Sequence, residues 1–302
     1  MGFKYSKPKG VIVPIITPVD DRGNIDEVSF KALIDHCINA GVDGIFVGGS
    51  SGMGPLLEDD QWKTMVKVAS DHVQDRCILF GGVICTSTAR AIEKIKYLDE
   101  CGYKYMAVTP TFYITLSYEE QFLTHFQACY DATDMEMIVY NIPSCTYSQI
   151  PLSVLDKMAE KGMYRVIKES GGDKEYFSEV LKIASKYDLV ALQGNEPDIE
   201  WGFLQGAGGI VPVCANYEPK TYATAYKAAL DGNKELLAKA QQRASAIRET
   251  LLVQADNWIS GIMYGVSTLG MGNGKPVWPL LEISQEAKDR IDSLETIDIN
   301  ED

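Results

Sequence analysis

The chain is poor in histidine and short of positive charge. Three of its 302 residues are histidine, and His36, His72 and His125 lie far apart in helical stretches, so a histidine-based metal site has little support. The seven cysteines, Cys37, Cys77, Cys85, Cys101, Cys129, Cys145 and Cys214, show no C-x-x-C spacing. They read as reduced thiols of a cytoplasmic protein, and neither a zinc site nor a disulfide framework is expected. Lysine and arginine number 28 against 42 acidic residues, a formal net charge of −14, which makes nucleic acid and anionic membrane surfaces unexpected partners. That sign does not define the substrate, because a local site can oppose it. No apolar run approaches the about 20 residues of a membrane-spanning helix. Residues 1–10 are basic and polar, without the apolar stretch of a signal peptide.

What the chain does contain is one pattern repeated: an apolar strand, a loop, an amphipathic helix. The strands read as 11–16, 44–49, 78–84, 105–109, 137–140, 164–168, 189–192 and 209–213. Between the first two, Phe30, Leu33, Ile34, Cys37 and Ile38 recur at helical spacing and Gly41 ends the helix. Strands apolar on both faces, each joined to the next by a helix, require a parallel sheet covered by helices. Eight units predict a (β/α)8 TIM barrel over residues 1–230, with additional C-terminal helices over 231–302 packed on the barrel. The open doubly wound sheet is the rival, and no G-x-G-x-x-G follows the first strand to favour it. Helices are expected over 234–252, around Trp258–Met263 and over 285–294, and the acidic end, 295–302, is expected to fray.

In such a barrel the chemistry lies at the C-terminal ends of the strands. The sixth strand ends on Lys168 and runs into Gly171-Gly172. Most strand-end lysines point into water; one held among apolar neighbours loses solvation of its ammonium, so its pKa falls and the amine becomes a nucleophile. Polar residues at the other strand ends are Thr17, Ser50, Ser51, Thr109, Tyr140, Asn141, Asn195 and Glu196. Gly48-Gly49-Ser50-Ser51-Gly52 offers hydroxyls and backbone N–H groups to a carboxylate, although a capped glycine turn would look the same. Tyr140 is placed to relay protons at Lys168, or to pack as an ordinary aromatic. Together these residues describe binding of a 2-oxo acid as a Schiff base.

Five segments carry a resemblance: Ile16-Thr17-Pro18, Gly48-Gly49-Ser50-Ser51-Gly52, Val108-Thr109-Pro110, Tyr140-Asn141-Ile142-Pro143 and Ile167-Lys168-Glu169-Ser170. In order and spacing the chain resembles the family containing dihydrodipicolinate synthase and N-acetylneuraminate lyase, from about Gly10 to about Asn216 and more loosely beyond. The resemblance implies Lys168 as the Schiff-base lysine, Tyr140 as the proton relay, and Tyr113 as the candidate for a second family tyrosine. It places Ser50 and Ser51, with Gly49, on the pyruvate carboxylate. Thr17, Thr146, Glu196 and Val211 complete the substrate-binding candidates. It implies no metal, no organic cofactor and a homo-oligomer, tetramer or dimer. Two positions depart from the family pattern. Met53 stands where the second motif usually has Glu, and Cys145 where the synthases usually carry an Arg that meets a carboxylate of the second substrate; a thiol cannot replace a bidentate guanidinium.

The leading expectation is therefore a pyruvate-dependent class I aldolase that cleaves or forms a 2-oxo-3-deoxy sugar acid, on the neuraminate-lyase side of the family. Thr146, Asn195 and Glu196 would hold the hydroxyls of the acceptor aldehyde. Dihydrodipicolinate-type synthesis and sugar-acid dehydration are alternatives within the same imine chemistry. A non-catalytic 2-oxo-acid-binding protein on the same scaffold is the alternative from another class.

Overall fold

The computed structural model describes residues 5–299. Eight strands, β1 (Gly10–Pro14), β2 (Gly44–Val47), β3 (Ile78–Val83), β4 (Tyr105–Val108), β5 (Glu136–Asn141), β6 (Val166–Glu169), β7 (Val190–Gln193) and β8 (Gly209–Ile210), follow one another in sequence order and close into a parallel barrel with helices between them. β1, β2, β4, β6 and β7 are buried at every position, as strands covered on both faces must be. The chain divides into two compact units. One is Leu79–Val211 with the residues before Gly10, and the other is Gly10–Ile78 with the chain from Pro212 on.

In the first unit β4, β5 and β6 keep a continuous register: Val108 is level with Val139, and Tyr140 is level with Lys168. Alternation along each strand sends Tyr105, Ala107 and Thr109 to one face, and with them Glu136, Ile138 and Tyr140. The chain start closes one end of that face. Tyr5 N–H donates to Glu136 Oε1 at 2.9 Å, the Tyr105 hydroxyl donates to the Ser6 carbonyl at 2.8 Å, and Arg165 reaches both Glu136 and the Tyr5 carbonyl. Helices Thr88–Glu100 and Lys174–Lys186 start on the caps the sequence supplies, Ser87 and Asp173, whose oxygens accept N–H groups of the first turn.

The second unit contains β1, β2 and every helix from Pro219 on. Strand eight is shorter than the sequence suggests. Pro212 offers no N–H to a ladder, and the chain turns into a 3-10 segment, Val213–Asn216. The Asn216 amide donates to the carbonyls of Pro14 and Val213, and its oxygen accepts from Ile16 N–H at 3.0 Å. Helix Lys234–Arg248 gives way to a π-turn over Glu249–Val253 rather than continuing. The expected fraying of the C-terminus is corrected as far as residue 299. Glu218, paired with Arg243 at 2.6 Å, accepts from Ile297 N–H, Arg243 also holds the Glu295 carbonyl, and Ile299 is buried. Residues 300–302 lie outside the described residues, as do 1–4 of the basic N-terminus. No described helix is long and apolar enough to cross a membrane.

Candidate active site

In the first unit the geometry centres on the ends of β5 and β6. Lys168 is 5% exposed, and its Nζ lies 4.0 Å from the centroid of the Tyr140 ring, itself buried. Burial lowers the Lys168 pKa from the ordinary lysine range to about 7, opposed weakly by the nearby Cys145 thiol. The electron-rich face of a tyrosine favours the ammonium, so desolvation is the larger effect. At neutral pH a substantial fraction of the amine is unprotonated and nucleophilic.

The neighbouring positions face the other way. Glu169 is 1% exposed, accepts from Asn141 Nδ2 at 2.6 Å through one carboxyl oxygen, and accepts from Gly171 N–H through the other. Asn141 Oδ1 in turn accepts from Ile150 N–H at 3.0 Å. A Cβ at residue 171 would lie 2.6 Å from Glu169 Oε1, which is why the loop after the lysine needs glycine there. Since Asn141 is level with Glu169 and Tyr140 with Lys168, the outer clasp fixes the register that stacks amine on ring. Burial raises the Glu169 pKa to about 7 against both hydrogen bonds. The sequence carried the signal for this residue: on a strand buried on both faces, the carboxyl next to a buried lysine is buried as well.

The loops carry the other candidate residues of the first unit. The Thr146 hydroxyl donates to the carbonyls of Ile142 and Ser148, both at 3.0 Å, and is fully buried at the end of the short helix Pro143–Thr146. The Asn195 amide is taken up by Asp198, which Lys174 pairs at 2.9 Å. Glu196 is buried in the 3-10 turn after β7, and Val211 is buried with its N–H on the Gln193 carbonyl at 2.9 Å. Tyr113 is 84% exposed with φ +75°, on a loop whose Leu116 N–H is held by Ser148 Oγ at 3.1 Å. It does not share the buried layer of Lys168 and Tyr140. Thr109, a strand-end hydroxyl without an assigned role in the sequence, is buried at the end of β4.

In the second unit the Gly48–Gly54 loop folds tightly on itself. A Cβ at 49 would meet the Phe46 ring at 2.9 Å, one at 52 the Ile15 carbonyl at 2.8 Å, and one at 54 the Gly48 carbonyl at 2.1 Å. Met53 N–H returns to the Ser50 carbonyl and Gly54 N–H to the Gly49 carbonyl, both at 3.1 Å. Thr17 donates its hydroxyl to the Gly52 carbonyl at 2.7 Å, so it props this loop from the segment after β1. Ser51 is buried and Ser50 partly so. Met53 has φ +54°, is fully buried, and its sulfur accepts from Val277 N–H at 3.4 Å. A carboxylate buried in that place would lose its solvation at high cost, whereas a thioether loses little. Among the described residues no group of three or more His, Cys, Asp or Glu could hold a metal ion.

Comparison with known proteins agrees with the barrel fold. The model of the dihydrodipicolinate synthetase family matches residues 7–297. A 4-hydroxy-tetrahydrodipicolinate synthase of Bartonella bacilliformis is 26% identical over 287 residues, covering 94% of this chain and 96% of the relative. The enzyme of the same name from Dechloromonas aromatica is 28% identical over 286 residues, covering 93% and 95%. Among solved structures, dihydrodipicolinate synthase from Bacteroides thetaiotaomicron superposes with TM-score 0.89 at 22% identity over 95% of this chain and 98% of that one. A prophage protein of E. coli K12 from the dihydrodipicolinic acid synthase family, solved in complex with pyruvate, gives TM-score 0.87 at 22% identity, covering 94% and 96%. A barrel whose sixth strand buries a neutralisable lysine, matched by the family model over nearly its whole length, belongs to the dihydrodipicolinate synthetase family of Schiff-base carbon–carbon lyases.

Proposed function

We propose that this enzyme binds pyruvate as an imine on Lys168 and makes or breaks the bond between C3 of that unit and an aldehyde carbon. The observation that carries the reading is the buried Lys168 amine, with its pKa near 7, against the Tyr140 ring. The protonated imine withdraws electrons, so the C3–C4 bond cleaves to an enamine, or the enamine attacks an aldehyde. Tyr140 moves the proton that forms or collapses the aldehyde hydroxyl. By resemblance the pyruvate carboxylate falls to Ser50 and Ser51 in the Gly49 loop.

For the acceptor, the names of the relatives favour 4-hydroxy-tetrahydrodipicolinate synthesis over the neuraminate-lyase reading. One feature of this chain favours a second reading, cleavage of a 2-oxo-3-deoxy sugar acid: Cys145, exposed and near Lys168, leaves no guanidinium where a synthase grips its second carboxylate. The test is pyruvate consumption with two aldehydes, one bearing a carboxylate and one polyhydroxylated. Faster turnover of the carboxylate-bearing aldehyde supports the synthase; the reverse order supports the sugar-acid lyase. No consumption with either overturns both.

A homo-oligomer accords with the exposed side chains of Tyr113, Ile114, Tyr118 and Tyr147, which a second copy would cover. Seven unpaired cysteines support a cytoplasmic setting.

A further inference from the structure

Among the described residues of the first unit, one buried side-chain polar atom has no hydrogen-bond partner, and it lies at the level of the reacting pair. Val108 is level with Val139, so Thr109 follows level with Tyr140, which is level with Lys168. Side chains level across parallel strands leave the sheet on one face, at about 4.8 Å per strand. Tyr105 and Glu136, two alternations back, share that face and act on each other electrostatically. Thr109 is 1% exposed and its Oγ1 makes no hydrogen bond. The backbone that carries it is fixed on both sides. Its N–H donates to the Val83 carbonyl at 3.3 Å, its C=O accepts from His125 Nε2 at 2.9 Å, and Pro110 follows. Valine would fill the same volume with no polar atom left over, so a buried hydroxyl here weakens the fold unless something binds to it.

We propose that Thr109 is a further catalytic residue, its hydroxyl donating a hydrogen bond to the C2 oxygen of the oxo acid as that oxygen leaves. This rests on the reading of Lys168 as the imine-forming lysine. The Lys168 nitrogen bonds to C2 while the carbonyl π bond breaks, and one amine proton passes to the oxygen, giving the carbinolamine. The nitrogen lone pair then forms the C=N bond as the C2–O bond breaks. The oxygen takes a second proton from the Tyr140 phenol, which recovers it from solvent, and departs as water. Thr109 transfers no proton; it stabilises the negative charge that gathers on the oxygen between the two stages.

The experiment compares wild type, Thr109→Val and Thr109→Ser by rapid-quench borohydride trapping of pyruvate and by thermal melting. Thr109→Val is expected to trap its adduct about 10- to 100-fold more slowly and to melt about 1–3 °C higher. Thr109→Ser, which keeps the hydroxyl, is expected to stay within about threefold of the wild-type rate. A wild-type trapping rate in Thr109→Val overturns the proposal. So does a valine variant that melts lower or fails to fold, because the hydroxyl then has a structural partner. Absence of any wild-type adduct on Lys168 is a different failure: it overturns the Schiff-base reading, and this inference with it.

Discussion

Lys168 and Glu169 are consecutive residues of one strand, both buried, and both are pushed toward a pKa of about 7 by the same loss of solvation. They face opposite sides of the sheet and serve opposite ends. Lys168 lies on an aromatic face and becomes a reactive amine. Glu169 accepts from the side chain of Asn141 and the N–H of Gly171 and holds two strands and a loop in place. A strand buried on both faces can thus carry a reactive group inward and the clasp that positions it outward.

The strongest way to break the inner half is Lys168→Met, which removes the only proposed nucleophile at similar volume. Turnover with pyruvate is expected to fall by more than about 10³-fold while the protein stays folded. Retained activity would remove Lys168 from the chemistry.

The outer half is expected to answer in stability. Glu169→Ala leaves both the Asn141 amide and Gly171 N–H without an acceptor and should cost about 1–3 kcal/mol by chemical denaturation. Glu169→Gln supplies one acceptor oxygen instead of two and should cost about 1 kcal/mol. Equal effects of the two substitutions would contradict the two-donor clasp.

The finest test is the pH dependence of stability, where the two residues have opposite signs. Lys168 has a folded pKa of about 7 and an unfolded value near 10.4. Between these the unfolded chain binds more protons, so the Lys168 contribution raises stability as pH rises from 7 toward 10. Glu169 has a folded pKa of about 7 and an unfolded value near 4.3. There the folded chain binds more protons, so its contribution falls as pH rises from about 4 to 7. Each slope is at most about 1.4 kcal/mol per pH unit. Melting curves across pH should lose the alkaline rise in Lys168→Met and the acid-side fall in Glu169→Gln.

Much of this was legible in the sequence because it rests on apolar continuity. Strands buried on both faces stand out as unbroken runs, and a lysine ending one of them stands out against the run. What was not legible depends on where loops return. Thr146 reads as a loop hydroxyl near the site, and only the short helix after Pro143 shows it bonded to the Ile142 and Ser148 carbonyls. Tyr113 reads as a candidate site tyrosine, and only the loop shows it exposed, 84% accessible in the single chain. Strand eight looks longer than it is because Val211 and Val213 flank a proline that cannot continue a ladder. Thr109 was visible as a strand-end residue, but only the register shows it level with Tyr140, and only the packing leaves its hydroxyl without a partner.

The central claim, that the buried Lys168 amine is the group that captures the oxo acid, is tested most directly by borohydride reduction in the presence of pyruvate, followed by peptide mass spectrometry. The account predicts a reduced pyruvyl adduct on the peptide containing Lys168 and none in Lys168→Met. An adduct on another lysine, or none on folded wild-type protein, would contradict it.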